Sequence, residues 1–345
     1  MSRMNRTNGL CCSLTVILPA LLACPLFSQS PQLDPAVHAA LEEGRKFEQR
    51  RQLSSALDSD RRALKLAHGN CDECHETIAN LQLKMELPKD AAASAAAWSA
   101  QAPDPVEKAR AEYLQASALL LQNKQKPNDA LLRQADDVLK HAATDDPSNP
   151  RIHMLDGRIL AILKKDTEAK NEFLACAANP AASQAECLRA KNFAGDVTLA
   201  RGEAAPAFSI KKPDGTPITL DSLAGKVVLI DFWATWCPAC VKDLDYIQSI
   251  AEEANKDRFV LLGVSDDSNE ETWKRYREEN RMIGLQIRDT DHSIADLFHV
   301  SAIPTYVILD ANGIIQLRTT GGEGDIRAKV RSLLAKPAVQ TASIP

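Results

Sequence analysis

The chain has 345 residues, 45% hydrophobic and 25% charged, proportions suited to a soluble globular protein of two domains. A net charge of −5 without a basic stripe gives no footing for nucleic acid or acidic lipid as a partner. Beyond the first thirty residues no stretch is apolar for long enough to span a membrane.

Residues 1–30 open with Arg3 and Arg6, run through an apolar stretch from Leu10 to Leu22, and close on the small or polar Ala23, Ser28, Gln29 and Ser30. A positive start, an apolar core and a small-residue exit are the layout of a secretory signal. Cleavage after Ser28 has two rivals. Leu21-Leu22-Ala23-Cys24 loosely resembles a lipobox, which would make Cys24 a lipidated N-terminus, and Leu10 to Phe27 would serve as an uncut anchor. Each version places the chain outside the cytoplasm, in a bacterial periplasm or cell envelope. Cysteine usage agrees. Cys11, Cys12 and Cys24 lie in this segment, and the other six form the local pairs Cys71/Cys74, Cys176/Cys187 and Cys237/Cys240 that an oxidising compartment permits.

From residue 34 to 201 alanine and leucine recur at helical spacing without strand-like alternation. The breaks are Gly69-Asn70, Pro103-Asp104-Pro105, Asp146-Pro147-Ser148-Asn149-Pro150 and Asn179-Pro180, which predict pairs of helices a few dozen residues long. Gly157 is followed by Leu160, Ala169, Phe173 and Cys176, and Gly44 by Phe47, Ala56 and Ala63 at matching offsets. This half resembles the tetratricopeptide repeat, in about four degenerate units. The resemblance implies a short superhelix with a concave face for docking another protein, whereas an irregular helical bundle is the plainer reading. Cys71-Asp72-Glu73-Cys74-His75 matches the attachment pattern of c-type haem, with His75 as the iron ligand. Against that reading the segment opens a repeat helix, so a structural disulfide between Cys71 and Cys74 is expected, with a second between Cys176 and Cys187.

From residue 203 to 336 the pattern changes. Phe208 to Lys211 and Ile218 to Leu220 flank Pro213-Asp214-Gly215 as a hairpin, and Val227 to Trp233 is a continuous apolar strand. Val241 to Ala254 reads as a helix, Phe259 to Val264 as a buried strand and Thr272 to Asn280 as a helix. Tyr306 to Leu309 and Ile314 to Arg318 are joined by Asn312-Gly313, a hairpin signal, and Glu323 to Ala335 closes the unit as a helix. Strands alternating with helices predict an α/β fold; residues 337–345 are left as a disordered tail.

The chemistry concentrates in Phe232-Trp233-Ala234-Thr235-Trp236-Cys237-Pro238-Ala239-Cys240. A buried strand feeding Cys-x-x-Cys at a helix start sets the first sulfur over unpaired amides and the positive end of the helix, which stabilises its thiolate. The second sulfur returns within bonding reach one turn on, so Cys237 attacks a disulfide and Cys240 resolves the adduct. No second ligand pair of zinc spacing stands nearby, so no metal is expected. Peroxidase chemistry would want a threonine three residues before the cysteine, and Thr235 stands two before.

These residues, with Ile303-Pro304-Thr305, resemble the exported TlpA/ResA-like branch of the thioredoxin superfamily, over residues 205 to 336. The resemblance implies a thioredoxin-like fold with an N-terminal hairpin and a thiol-disulfide oxidoreductase without a cofactor, acting on exported protein disulfides and recharged by a membrane electron donor. It implies a cis-proline at Pro304 facing the dithiol, substrate contacts at Trp236, Pro238, Ile303 and Thr305, and a buried proton acceptor at Asp231. Asp243 matches an acid that tunes the dithiol, although the family has glutamate there and a proline where Asp245 stands. Ile303 before Pro304 resembles the reducing members. The alternatives are an interaction scaffold with a redox-regulatory domain, and a haem protein with a thioredoxin-like appendage.

Overall fold

The computed structural model describes residues 34–212, 215–321 and 325–336. The expected signal segment with Cys24, the tip Pro213-Asp214, the helix start at Glu323 and the tail 337–345 lie outside the described residues. Among the described residues no helix is long and apolar enough to cross a membrane.

The first half is helical: α1 (Pro35–Gln49), α2 (Leu53–Leu66), α3 (Asp72–Lys84), α4 (Pro88–Ser99), α5 (Pro105–Gln125), α6 (Asp129–Asp145), α7 (Pro150–Ile162), α8 (Asp166–Ala178) and α9 (Gln184–Gly195). Of the prolines read as breaks, Pro105 and Pro150 stand at helix starts, as do Pro35 and Pro88, because the first turn has no use for the amide that proline lacks. Asp34, Asp104, Asn128 and Asn149 cap these starts through their side chains, and Ser183 with Glu186 forms a capping box on α9. Consecutive helices pack on one another through alanines such as Ala79, Ala95, Ala116 and Ala135, which are fully buried. At Gly157 a Cβ would come within 2.6 Å of the Phe173 ring, so glycine is what lets α7 close over that aromatic. The same slot in the first pair is filled differently. Gly44 faces the carboxyl group of Asp60, which is buried where Phe173 would stand.

A 3-10 turn (Val197–Arg201) leads into the second half. There β1 (Ser209–Lys211) and β2 (Pro217–Thr219) form an antiparallel hairpin beside a five-stranded sheet. The sheet contains β3 (Val227–Trp233), β4 (Phe259–Ser265), β5 (Leu285–Arg288), β6 (Thr305–Leu309) and β7 (Ile315–Thr320) in the order β5-β4-β3-β6-β7. β3, β4 and β5 are parallel, β6 runs against β3, and β7 runs against β6 and so in the direction of β3. Every residue of β3 is buried because alternate side chains feed two cores. Leu229 joins one core beneath α10 (Pro238–Glu253) and α13 (Ile326–Ala335). Val228, Ile230 and Phe232 join the other, beneath Phe208 of the hairpin side and Phe298 after α12 (Ser293–Leu297). The architecture is therefore α-helical repeats followed by a thioredoxin-like α/β fold with an N-terminal hairpin. The remaining helix, α11 (Glu270–Glu279), crosses beside the dithiol end.

Among the described residues the halves meet at several places, with Lys124 of α5 pairing with Glu203 at 2.8 Å and Ile314 entering the helical core beside Phe193. Arg189 of α9 donates to the carbonyl of Asn312 in the β6–β7 turn at 3.0 Å. Far along the helices, Arg51 pairs with Asp296 of α12, and Glu86 pairs with His299 at 3.2 Å.

Cys176 and Cys187 do not form the expected bridge. Cys176 is sealed inside α8, where burial, then the charge of Glu186, pushes its thiol up to about 12. The Cys187 thiol turns to the carbonyl of Ala177 at 3.5 Å. A thiol so reluctant to ionise is a poor partner for disulfide formation.

Candidate active site

The strand β3 ends at Trp233, and four residues later Cys237 caps α10. Its sulfur accepts the amide of Cys240 at 3.2 Å, and the two sulfurs are bonded to each other. Pro238 occupies the first helical position, so the sulfur sits directly over the open amides of the helix start. Across from it the Ile303–Pro304 peptide is cis, and the carbonyl of Ile303 lies 3.8 Å from the Cys237 sulfur. Trp236 is 60% exposed, and Pro238, Ala239 and Val241 are exposed beside it, which gives the dithiol an apolar apron. Trp233, Trp273 and Ile303 pack against the cysteines.

Asp231 lies on β3 and is buried; its Oδ1 has no hydrogen-bond partner. Burial, with a further push from the charge of Asp243, raises its carboxyl to about 7, so it exchanges protons near neutrality. Tyr306 stands opposite Asp231 in the β3–β6 register, and its hydroxyl donates to Asp243 at 3.2 Å. Burial and these two carboxylates push the Tyr306 phenol up, so it remains a donor. Asp243 thus reaches the strand through a tyrosine that nothing in the sequence reading had singled out.

Thr305 does not face the substrate side as expected. It is buried, and its hydroxyl donates to Ala302 at 2.7 Å and meets Thr320 at 3.1 Å, holding the turn that carries Pro304. Sequence reasoning also missed Asp267. Its carboxylate accepts the amide of Thr235 at 3.0 Å and the hydroxyl of Ser265 at 2.7 Å, which pins the loop into the dithiol from the end of β4. The one available signal was a pair of acids, Asp266-Asp267, directly after an apolar strand.

The Cys-x-x-Cys-His segment is arranged differently. Cys71 and Cys74 are bonded to each other inside a cluster with Val37, Ala40 and Leu41. His75 is buried, stacks on Trp98 with ring centroids 6.5 Å apart, and meets the carbonyl of Gly69 through Nε2 at 3.0 Å. Haem attachment needs both sulfurs as thioethers and an open edge at the histidine, and these residues as folded do not fit it. Among the described residues no group of three or more His, Cys, Asp and Glu side chains could hold a metal ion.

Comparison with known proteins follows the same division. The model of the AhpC/TSA family matches residues 201–318, leaving α1 to α9 outside. Thioredoxin-like protein YneN of Bacillus subtilis is 31% identical over 123 residues, covering 35% of this chain and 72% of that protein. Thiol-disulfide oxidoreductase ResA of Halalkalibacterium halodurans is 27% identical over 147 residues, 42% of this chain and 84% of the relative. ResA of Oceanobacillus iheyensis is 29% identical, and the match spans 62% of its length, less than two thirds. Among solved structures, the thioredoxin domain of a Bacteroides vulgatus thiol-disulfide oxidoreductase is 27% identical, with 39% of this chain and 96% of that chain covered and a TM-score of 0.36.

Proposed function

Because the chain belongs to the thioredoxin-like family that includes the ResA-type proteins, we propose that it is a thiol-disulfide oxidoreductase working through Cys237 and Cys240 as a reductase of exported protein disulfides. The observation that carries this reading is the placement of Cys237: a helix-capping sulfur with the Ile303 carbonyl across from it and an apolar, exposed apron around it. An extended substrate strand would pair with the Ile303 backbone while its disulfide meets the sulfur.

In the reduced protein the Cys237 thiolate attacks one sulfur of a substrate disulfide, and the other substrate sulfur leaves as a thiolate that takes up a proton. Asp231, ionised above about 7, accepts the proton of the Cys240 thiol. Cys240 then attacks the Cys237 sulfur and releases the second substrate thiolate, leaving the bonded pair described here. Two electrons and two protons from a membrane donor return the dithiol. The helical repeats dock a protein partner, and the apolar N-terminal segment directs export. Paired helices closing on Gly157 and Phe173 support the docking role, and the leader layout supports the location.

Insulin-type disulfide reduction tests the activity, and a Cys240→Ser variant in the native envelope tests the substrates. Mixed disulfides should accumulate on Cys237 in that variant and vanish when Cys237→Ser is added. Equal reduction rates for wild type and Cys237→Ser would overturn the assignment.

A further inference from the structure

A cavity of about 340 Å³ lies between α7 and α9 on one side and the hairpin and β6–β7 turn on the other. It is at the far end of the sheet from the dithiol. β3 delivers Cys237 from its C-terminal end, whereas Val228 near its start pairs with Leu309, where β6 runs out into that turn. Leu155, Phe193, Phe208, Leu220 and Ile314 give it apolar walls. Its charged groups are Arg151, Arg158, Arg189, Glu186 and Asp221.

Two of the arginines have partners. Arg189 donates Nε to Asn312 and stands 3.4 Å from Asp221, and Arg151 stands 3.6 Å from Glu186. Arg158 differs. It is half-buried, its Nη2 donates to the carbonyl of Gly202 at 3.2 Å, and its Nε is closed off from solvent with no acceptor. Among the described residues no carboxylate pairs with it. A guanidinium stripped of water without a counter-charge is costly, so the fold keeps a cation here that its own residues leave open. Burial, with Arg189 nearby, holds this guanidinium below arginine's usual range.

We propose that this cavity binds a small monocarboxylate with an apolar body, its carboxylate balanced by the guanidinium of Arg158 in the cavity wall and its body lying on Phe208, Leu220 and Ile314. Three guanidinium groups against two carboxylates leave one positive charge for the ligand to balance. A planar carboxylate matches the guanidinium fork, whereas a phosphate dianion would reverse the charge of the site. An apolar wall with few convergent polar groups is the usual make-up of a small-molecule site, and the size is at the lower end of that class. Both halves of the protein supply walls, so a bound ligand would tie them together.

Calorimetry on the full chain at neutral pH tests this with octanoate, octanol, acetate and inorganic phosphate. Octanoate should saturate at one per chain and bind about tenfold or more tighter than the other three. Arg158→Met should weaken octanoate about tenfold or more while raising the melting temperature of the ligand-free protein, because the unpaired cation is gone. Leu220→Trp, which fills the cavity and leaves the cation, should also abolish binding; it carries the test alone should Arg158→Met fail to fold. Octanol binding as well as octanoate, phosphate binding tighter, octanoate failing to saturate, or wild-type affinity in either folded variant would overturn the proposal. Heat of binding does not depend on thiol chemistry, so this result stands apart from the dithiol assignment.

Discussion

Cys71 and Cys237 cap α3 and α10 in the same manner. Each sulfur accepts the amide of the cysteine three residues on, at 3.1 and 3.2 Å, and each is bonded to that cysteine. Even their burial matches, at 4% and 5% exposure. The surroundings separate them. Asp72 and Glu73 fill the first turn of α3, where their carboxylates take up the positive end of the helix and repel a neighbouring thiolate; the first turn of α10 holds no acid. Cys71 follows a loop at Gly69 and sinks among aliphatic side chains, while Cys237 follows a buried strand and faces a backbone carbonyl beside open apolar surface. On the proposed function, a Cys-x-x-Cys turn serves as a redox site or as a staple according to the charge in its first turn and what lies opposite.

Removing the sulfurs gives the largest contrast. Cys237→Ser should drop insulin reduction to the uncatalysed background. Cys71→Ser should leave that rate within about twofold, yet cost about 2 kcal/mol in denaturant unfolding, the chain-entropy value for so short a loop. A Cys71→Ser protein with lost activity but intact stability would erase the distinction.

Asp231 comes next, since the Cys71 turn follows a loop rather than a strand bearing a buried acid. Asp231→Asn should slow turnover roughly a hundredfold, the scale of a lost proton acceptor, and flatten its rise with pH. Stability should move the other way. The folded carboxyl titrates near 7 and the unfolded one near 4, so between those values only the folded state keeps its proton. The contribution of Asp231 to wild-type stability therefore falls as pH rises from about 4 to about 7 and levels off above; Asp60 and Asp156, raised to about 6 and about 8, add slopes of the same sign, and the Asn variant should lose the Asp231 part alone. Paired pH series of turnover and melting temperature check both halves.

Much of this was legible in the sequence, and the illegible parts share a cause. The run from Val227 to Trp233 announces a strand with both faces covered, and Asn312-Gly313 announces its turn, where Gly313 takes a φ of +75°. The dithiol likewise stands on local residues, whereas the cis peptide before Pro304 is expected only through the family resemblance. What escaped depends on register. Asp267 reaches the dithiol loop only because β4 lies beside β3 with Trp233 opposite Ser265. Tyr306 links Asp243 to the strand only because β6 sets it opposite Asp231. The four-residue β5 and five-residue α12 are too short to show a period, and α12 is held by Asp289 capping the amides of Ile294 and Ala295. Cys176 and Cys187 fail as a bridge for a similar reason, since sequence distance does not say which way a helical sulfur turns. Asp60 in a slot built for an aromatic is a local departure that burial alone reveals; there its carboxyl rises to about 6.

Transplanting the α3 charges tests the electrostatic half of the contrast. Pro238→Asp with Ala239→Glu turns the α10 start into the Cys-Asp-Glu-Cys of α3. Each carboxylate near a helix N-terminus is worth about 0.3–1 kcal/mol, so the pair should raise the Cys237 thiol by about one pKa unit. Iodoacetamide alkylation of the reduced protein across pH reads that value directly. An unmoved thiol would assign the difference between the two turns to their opposite walls rather than to first-turn charge.

The finest prediction concerns Asp243, whose charge reaches Asp231 across the strand. Burial is the larger reason that Asp231 holds its proton, and Asp243→Asn leaves burial alone, so the carboxyl should not return to the ordinary range. The lesser cause does disappear. With one negative charge fewer nearby, ionising Asp231 becomes easier, and the midpoint of the turnover profile should slide below 7 by a fraction of a unit. The variant should then outpace wild type slightly below pH 7 and match it above pH 8, where Asp231 is ionised in both. Tyr306 keeps its proton throughout and only exchanges an ionised acceptor for an amide oxygen. A midpoint moved upward, or held in place while Asp231→Asn still removes the profile, would mean that Asp243 anchors Tyr306 without tuning the acid, and that burial alone gives the dithiol of α10 its neutral-pH proton acceptor.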